Sequence, residues 1–400
     1  MAGAARAGSR SVILTDPRRA DCVCSCRLVQ ASNSKPSKQP APRASMTAFD
    51  PDDAATPESG VFGLNDSSSE AGVRLLGAPF DATTSYRQGA ARAPQAILKA
   101  SHQVDLFDAL MASWPGSEGR PWQAGIALEI DAYIANLNAE AAPLARSLMA
   151  SDQQADSPQK RAGLLARVNE IGGEVNGRVR CWTAEALVKG AVVGIVGGDH
   201  SVPFGAFEAA SAHHGAIGIL HFDAHADLRP AYGGLRWSHA SIFANVRERL
   251  PQVEAVLSVG LRDLGQKEAR TIAESGGRLR AIHSHEWAAW RQSRADLKAL
   301  VLEHIQSLPE KIWISFDIDG LDPSLCPSTG TPVPGGLTWD EASLWLTVLA
   351  ESQKEIVGFD LCEVSPGQSD GPEEDSWDAM VGARLLYRLI GLALARRARP

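Results

Sequence analysis

The sequence lacks the features that mark a membrane-spanning or a nucleic-acid-binding protein. No uninterrupted apolar run reaches the roughly 20 residues that a transmembrane helix requires. The formal net charge is −8, whereas a nucleic-acid-binding protein needs a basic face that neutralises phosphates. Charged residues make up 22% of the chain and apolar residues 44%, which excludes a wholly disordered protein. We therefore predict a globular protein with no membrane or nucleic-acid partner.

Cysteines are few, and their spacing is unlike that of a disulfide framework or a zinc knuckle. Three of the six stand at one-residue spacing near the start, with no histidine nearby, and three are scattered further along. Zinc-binding pairs are usually about two to four residues apart. The two groups are Cys22, Cys24 and Cys26, and Cys181, Cys326 and Cys362. This usage predicts a reduced, cytoplasmic protein.

The first 46 residues differ from the rest of the chain in charge. They contain eight Lys or Arg against two acids, and they are rich in Ser, Ala and Pro. Few large apolar side chains are available there to offset the entropy lost on folding. We predict a disordered extension at 1–46, or a start at Met46. An Arg-rich transit peptide that directs the protein to an organelle is the alternative. Residues 47–400 are predicted to form a single domain.

Apolar runs alternate with amphipathic stretches from about residue 72 onward. The runs lie at 73–77, 191–196, 217–222, 255–259, 279–282, 312–318 and 355–361. Several are rich in Val and Ile, as expected for strands that are buried on both faces of a parallel sheet. Thr338 and Glu341 form a capping box before one helix, and Ser376 precedes another. The pattern predicts an α/β protein with a mostly parallel sheet that is covered on both faces.

The segment at about 105–180 interrupts this alternation. It contains no run that predicts a strand. Helices are predicted from about Leu128 to Met149 and from Lys160 to Leu187, separated by a polar linker at 152–159. We interpret the segment as a helical excursion from the sheet and not as a separate domain.

Three peptides rich in Asp and His each begin where a predicted strand ends. They are Gly197–Ser201, Asp223–Asp227 and Asp317–Pro323. The carboxyl ends of parallel strands share one edge of the sheet, where such sheets form their functional crevice. Alternate side chains of extended backbone point to one side, so Asp223, His225 and Asp227 are expected to converge. Asp317 and Asp319 are expected to converge in the same way.

With His200, these side chains supply four carboxylates and two imidazoles. Clustered carboxylates do not all stay ionised without a cation, and two divalent ions would supply the missing charge. Oxygen and nitrogen donors without a thiolate suit Mn(II), Ni(II) or Co(II) better than structural zinc. Each peptide alone would often be only a turn or a helix cap. Their joint occurrence at strand ends predicts a site for two metal ions.

These three peptides resemble the motifs of the ureohydrolases, the family of arginase and agmatinase. Pro79–Ala90 also resembles that family, and the resemblance covers about residues 70–395. It implies a three-layer α/β/α fold and a homotrimer or homohexamer. It implies that His200 and Asp227 hold one metal ion, while His225 and Asp319 hold the other. Asp223 and Asp317 would bridge the two ions and so act in catalysis.

The resemblance also implies the chemistry. A guanidinium carbon is a poor electrophile, and a divalent metal supplies hydroxide at neutral pH by lowering the pKa of water. His239 matches the active-site histidine of the family and would carry a proton to the leaving amine. Glu363 matches the glutamate that binds the guanidinium. A surface-loop histidine and an exposed strand-end glutamate are the alternatives. Three further histidines and Asp322, which precedes Pro323, are predicted to be structural. The three are His221, His283 and His285.

The loop between Asp227 and His239 is expected to choose the substrate. It lacks the Ser-Gly-Asn pattern with which arginases hold an amino-acid head group, so arginine is disfavoured. Arg229 and Arg236 would repel the cationic tail of agmatine if they face the pocket, and the excursion could roof that pocket. Similarity to the branch that includes the nickel-dependent guanidine hydrolases lies in the excursion and in the peptides Ser238–Ile242 and Trp377–Arg384. We predict hydrolysis of guanidine to urea and ammonia, with agmatine as the alternative substrate.

Two other classes of function stay open. An inactive relative would act as a binding subunit, although all six predicted ligands are intact. A mononuclear deacetylase on the same fold would leave His200, Asp227 and Asp319 unexplained. Counting the bound metals and assaying urea separates both classes from a hydrolase with two metals.

Overall fold

The computed structural model describes residues 49–150, 157–367 and 376–395. The prediction for residues 1–46 and most of the predicted linker at 152–159 lie outside the described residues. The described chain from Asp50 onward belongs to one compact unit.

One sheet of eight strands forms the centre of the described chain. In chain order the strands are β1 Val73–Gly77, β2 Ile126–Ile130, β3 Val192–Val196, β4 Ile217–Phe222, β5 Val253–Leu261, β6 Leu279–His283, β7 Lys311–Asp317 and β8 Glu355–Cys362. Their spatial order is β2-β1-β3-β8-β7-β4-β5-β6, and each neighbouring pair is parallel. All seven predicted strands form, although β7 ends at Asp317 because 318–320 is a 3-10 turn.

Helices cover both faces of the sheet. They are α1 Ala93–Ala100, α2 Ala132–Met149, α3 Pro158–Val188, α4 Phe204–His214, α5 Ile242–Arg249, α6 Gln266–Ala273, α7 Ser284–Gln292, α8 Leu297–Gln306, α9 Trp339–Glu351 and α10 Trp377–Leu394. Successive residues of a strand pack on opposite faces of the sheet: Leu220 belongs to one core cluster and Ile219 to the other. This arrangement is the expected three-layer α/β/α fold. No described helix is both long and apolar enough to cross a bilayer.

The prediction that 105–180 contains no strand is wrong. Strand β2 lies in that segment and pairs with β1 at the edge of the sheet. Its last three residues are only half-buried, and one is Glu129, which forms an ion pair with Arg74 at 2.8 Å. Helix α2 therefore starts at Ala132 and not near Leu128. The Asp131 side chain caps it by accepting hydrogen bonds from the next turn.

The helix caps predicted further along the chain are confirmed. Thr338 and Glu341 form a reciprocal capping box at the start of α9. The Ser376 hydroxyl accepts a hydrogen bond from the Ala379 N–H at the start of α10. Strand β8 lies between α9 and α10 in the chain, and Glu363 directly follows it.

Candidate metal centre and pocket

The ends of β3, β4 and β7 bring the six predicted metal ligands together. His200 Nδ1 lies 3.1 Å from Asp223 Oδ2, 3.2 Å from Asp227 Oδ2 and 3.4 Å from Asp317 Oδ2. His225 Nδ1 lies 3.1 Å from Asp319 Oδ2 and 3.4 Å from Asp223 Oδ1. Two groups that could hold a metal ion share Asp223: one contains His200, Asp227 and also His221, and the other contains His225 and Asp319. Asp317 adjoins the first group through His200.

The local backbone achieves this convergence differently from the expectation of extended chain. Asp227 has a φ of 51°, in the left-handed region, and this turn directs its carboxylate back to His200. The Asp223 and Asp317 carboxylates each accept the backbone N–H two residues later, at 2.6 and 2.8 Å. Asp319 stands in the 3-10 turn after β7. Turns closed by the ligands' own carboxylates, and not continued strands, direct these side chains to one point.

The electrostatics of the cluster favour bound positive charge. Burial, and then the charge of Asp223, raise the pKa of Asp227 to about 7. Burial alone would lower the pKa of His225, but the Asp319 charge and the hydrogen bonds to both aspartates raise it to about 12. Crowded carboxylates therefore hold protons in the place of cations. The oxygen and nitrogen donors fit divalent ions such as Mn(II) or Ni(II).

His239 and Glu363 form a pair beside the six ligands. His239 Nδ1 lies 3.2 Å from Glu363 Oε1, which also accepts the backbone N–H of His200 at 3.1 Å. The backbone N–H of Ser85 donates to His239 Nε2 at 3.2 Å. Burial would lower the pKa of His239, but the hydrogen bond and charge of Glu363 raise it to about 9. Glu363 itself is 1% exposed, and its Oε2 has no hydrogen-bond partner among the described residues.

Most of this chain is similar to one known protein family. The model of the arginase family matches residues 71–391. The chain belongs to the arginase family. The predicted hydrolase of C–N bonds in linear amidines is thereby confirmed as the class of this arginase-family enzyme.

Several relatives cover most of this arginase-family chain. It is 32% identical to the N(1)-aminopropylagmatine ureohydrolase of Thermus thermophilus over 341 residues, which are 83% of this chain and 94% of that protein. It superposes on proclavaminate amidinohydrolase from Streptomyces clavuligerus with a TM-score of 0.60 at 23% identity, covering 89% of this chain and 100% of that one. For the agmatine ureohydrolase of Thermoplasma volcanium the TM-score is 0.59 at 22% identity, with coverages of 82% and 92%. The arginase-like fold is confirmed.

A cavity of about 180 Å³ opens beside the candidate metal ligands of this arginase-family enzyme. His225, Asp227, Asp317 and His239 are among the residues that line it. Glu363 is not among the lining residues, and it contacts the cavity wall through its hydrogen bond to His239. The cavity is therefore bounded by candidate metal ligands together with the candidate proton donor.

The prediction for the pocket mouth needs two corrections. Of the two arginines that were expected to face the pocket, only Arg229 lines the cavity in the described structure, whereas Arg236 is exposed elsewhere. No described residue of 105–180 lines the cavity, so the described part of the excursion does not roof it. Its helix α3 instead packs behind the loop at 228–237, where Asn169 bonds to Gly234 and Arg236.

Two polar residues for which no role was predicted support His200. The Ser315 hydroxyl donates to Asp360 Oδ1 at 3.0 Å, which leaves Ser315 Oγ to accept from His200 Nε2 at 2.9 Å. Trp313 Nε1 donates to Asp360 Oδ2 at 2.7 Å. A hydroxyl and a carboxylate within strands that are buried on both faces were the available signal. This chain of hydrogen bonds directs His200 Nδ1 toward the aspartates.

The three histidines that were predicted to be structural have different surroundings. His221 is fully buried, with its Nε2 2.8 Å from Asp223 Oδ2 and its Nδ1 2.9 Å from Ser258 Oγ. Burial lowers its pKa, so the neutral ring orients a candidate metal ligand. His283 and His285 stack on each other at 5.4 Å. Asp322 accepts the Ser324 N–H and makes the predicted turn.

Proposed function

We propose that this enzyme hydrolyses a guanidino C–N bond and releases urea. The observation that carries the proposal is the Oε2 atom of Glu363, a buried carboxylate oxygen without a partner among the described residues. A buried acceptor of this kind is costly unless a ligand satisfies it. A guanidinium supplies the matching charge and N–H donors.

Two divalent ions, Ni(II) or Mn(II), are proposed to be held by the six clustered side chains. His200 and Asp227 would hold one ion, and His225 and Asp319 the other, with Asp223 and Asp317 between them. When bound, the ions supply hydroxide by lowering the pKa of water to about 7. Ser315 and Asp360 fix the ring of His200, and His221 orients Asp223.

Binding and proton transfer are assigned to Glu363 and His239. Glu363 Oε2 would accept an N–H of the guanidinium, while its Oε1 holds His239 Nδ1. With a pKa of about 9, His239 can take up a second proton at Nε2, the atom that accepts the Ser85 N–H in the neutral ring, and can donate that proton to the nitrogen that leaves. The overall change is guanidinium plus water giving urea plus ammonium, which balances in atoms and charge.

Free guanidine is the substrate that we propose, because the positively charged side chain of Arg229 lines the cavity. The Arg229 side chain is half exposed, 3.7 Å from Glu268 Oε2 and over the Tyr232 ring at 5.6 Å. Both oxygens of Glu268 already accept backbone N–H groups, so Glu268 makes no close hydrogen-bonded pair with Arg229 and offsets its charge only in part. A second cation on the substrate would be repelled there.

Agmatine is the second candidate substrate, and a different residue favours it. The exposed carboxylate of Asp263 lines the same cavity and would attract a cationic tail. The Thermus relative is named as a ureohydrolase of aminopropylagmatine. Whether the charge of Arg229 or that of Asp263 dominates depends on where the cationic end of the tail lies in the cavity. Both compounds therefore belong in one assay.

Urea release by metal-loaded enzyme tests the proposal. The protein is loaded with Ni(II) or Mn(II), its metals are counted, and urea is measured with guanidine, agmatine, arginine and guanidino acids. We expect two metals per chain and guanidine as the preferred substrate. A kcat/KM for agmatine about ten-fold above that for guanidine with both metals would replace guanidine by agmatine. Sedimentation analysis tests the proposed homotrimer or homohexamer.

A further inference from the structure

The loop at 228–237 has one side in the cavity and the other side on the helical excursion. Arg229 and Tyr232 line the cavity. Tyr232 and Leu235 exchange two backbone hydrogen bonds around Gly233 and Gly234, which have φ values of 58° and 90°. The loop is therefore a tight hairpin whose turn requires glycine. Tyr232 therefore belongs both to the hairpin and to the cavity wall, so a shift of the hairpin moves a residue of that wall.

Helix α3 holds the hairpin by hydrogen bonds from one side chain. Asn169 Oδ1 accepts the backbone N–H of Arg236 at 2.7 Å, and its Nδ2 donates to the Gly234 carbonyl at 3.2 Å. These bonds lie two and four residues after Tyr232, at the turn and directly beyond it. Asn169 does not line the cavity, and its two bonding partners are 65 and 67 positions away in sequence.

Apolar packing holds the hairpin to the same helices. Leu235 is 1% exposed and packs with Ala145 and Leu148 of α2 and Val168 of α3. Trp237 lies against Gly172, where an added Cβ would come within 2.6 Å of the Trp237 Cβ. Glycine at 172 thus allows α3 to approach the segment that leads directly into His239.

We propose that α3, through Asn169 and Gly172, determines which guanidino compounds the enzyme accepts, by fixing the hairpin that carries Tyr232, over whose ring Arg229 lies. The proposal rests on the proposed function of the same cavity. Asn169 is a positioning residue that never touches substrate. Loss of its two bonds frees the turn and lets Tyr232 move in the cavity wall, which favours larger substrates relative to smaller ones.

Selectivity between two substrates tests this proposal with the metal-loaded enzyme. For Asn169→Ala, we expect the ratio of kcat/KM for agmatine to that for guanidine to rise about five-fold or more, with unchanged metal content. Gly172→Ala should lower kcat/KM for both compounds about ten-fold, because the new methyl group pushes Trp237 and, with it, His239. Gly177→Ala is the matched control, since an added Cβ on that helical glycine meets nothing within 4 Å.

The wild-type assay and the variant assay answer different questions. The preference of the wild type decides the substrate, whereas the change in ratio decides the role of α3, whichever compound is preferred. Alanine favours the helix over glycine at both 172 and 177, so lost helicity cannot explain a difference between these variants. If Asn169→Ala keeps the wild-type ratio of kcat/KM values within about two-fold, the proposal is overturned, whatever Gly172→Ala does.

Discussion

Glu363 combines backbone strain with an unsatisfied charge. Its φ of 61° is unusual for a residue other than glycine, and such outliers concentrate where binding or catalysis requires them. Its Oε1 is held by the His200 backbone and by His239, so the other oxygen has a fixed direction. This geometry supports the proposal that the side chain binds one external donor group.

Glu363→Gln is expected to weaken substrate binding without loss of metal. Loss of a hydrogen bond to a charged group costs about 1.5–3 kcal/mol, so KM should rise roughly ten-fold or more. Steady-state kinetics and elemental analysis measure the two quantities on the same protein. Loss of metal in this variant would contradict the assignment of Glu363 to the substrate.

The same variant should change the pH dependence. His239 donates a proton in its acid form, so the rate should fall as pH rises through its pKa of about 9. The Glu363 carboxylate helps to raise that pKa, and its replacement by an amide should move the fall to lower pH. A profile of kcat against pH, with metal content measured at each point, checks this. An unchanged alkaline limb would show that another group titrates there.

Asp223 is shared by both groups of candidate ligands, so its loss should affect both ions. Asp223→Asn is expected to reduce kcat by about a hundred-fold or more and to leave fewer than two metals per chain. Asp322→Asn is the control within the third motif, because that carboxylate only caps a turn. Full activity in a protein with a single metal ion would refute the two-metal assignment.

Strands buried on both faces could be predicted from sequence, whereas the edge strand could not. Continuous apolar runs marked β3, β4 and β7, and their carboxyl ends located the candidate site. Strand β2 has only a short apolar run with Glu129 near its end, and the Ala-rich helix that follows hides the boundary. The cap at Asp131 was the local signal that separates the two elements.

The partners of the candidate ligands depend on strand order, which the sequence does not contain. Ser315 and Asp360 are 45 positions apart and meet because β7 and β8 are neighbours in register. Local motifs located the six candidate ligands, since each motif follows its own strand. Geometric detail such as the left-handed turn at Asp227 came from packing and not from the strand pattern.

Strands β7 and β8 should influence metal affinity through this pair. Ser315→Ala or Asp360→Asn is expected to weaken metal binding about 10–100-fold, because the His200 ring loses its orientation. Competition with a chelator measures the affinity. Ser352→Ala removes a buried hydroxyl that bonds only within its own turn and is the control. Equal affinities in all variants would make the Ser315–Asp360 pair purely structural.

The candidate metal centre should couple stability of the described unit to metal and pH together. Four carboxylates from separate strand ends stand in one buried cluster, so cations bound there hold β4 and β7 together and are absent from the unfolded chain. At about 100 times the dissociation constant, bound ligand adds roughly 2.7 kcal/mol of stability. Chelation should therefore lower the melting temperature, by roughly 5 °C.

The size of that decrease should depend on pH with a defined sign. Without metal, the pKa of Asp227 is raised from 3.8 to about 7, so between these values the folded chain binds more protons than the unfolded chain. The site's contribution to metal-free stability therefore falls as pH rises through that window, while metal affinity rises because fewer protons compete. The difference in melting temperature between loaded and chelated protein should grow from about pH 5 to about pH 8. Asp227→Asn removes the titrating group and should flatten this growth, and a difference that shrinks with rising pH in the wild type would contradict the linkage.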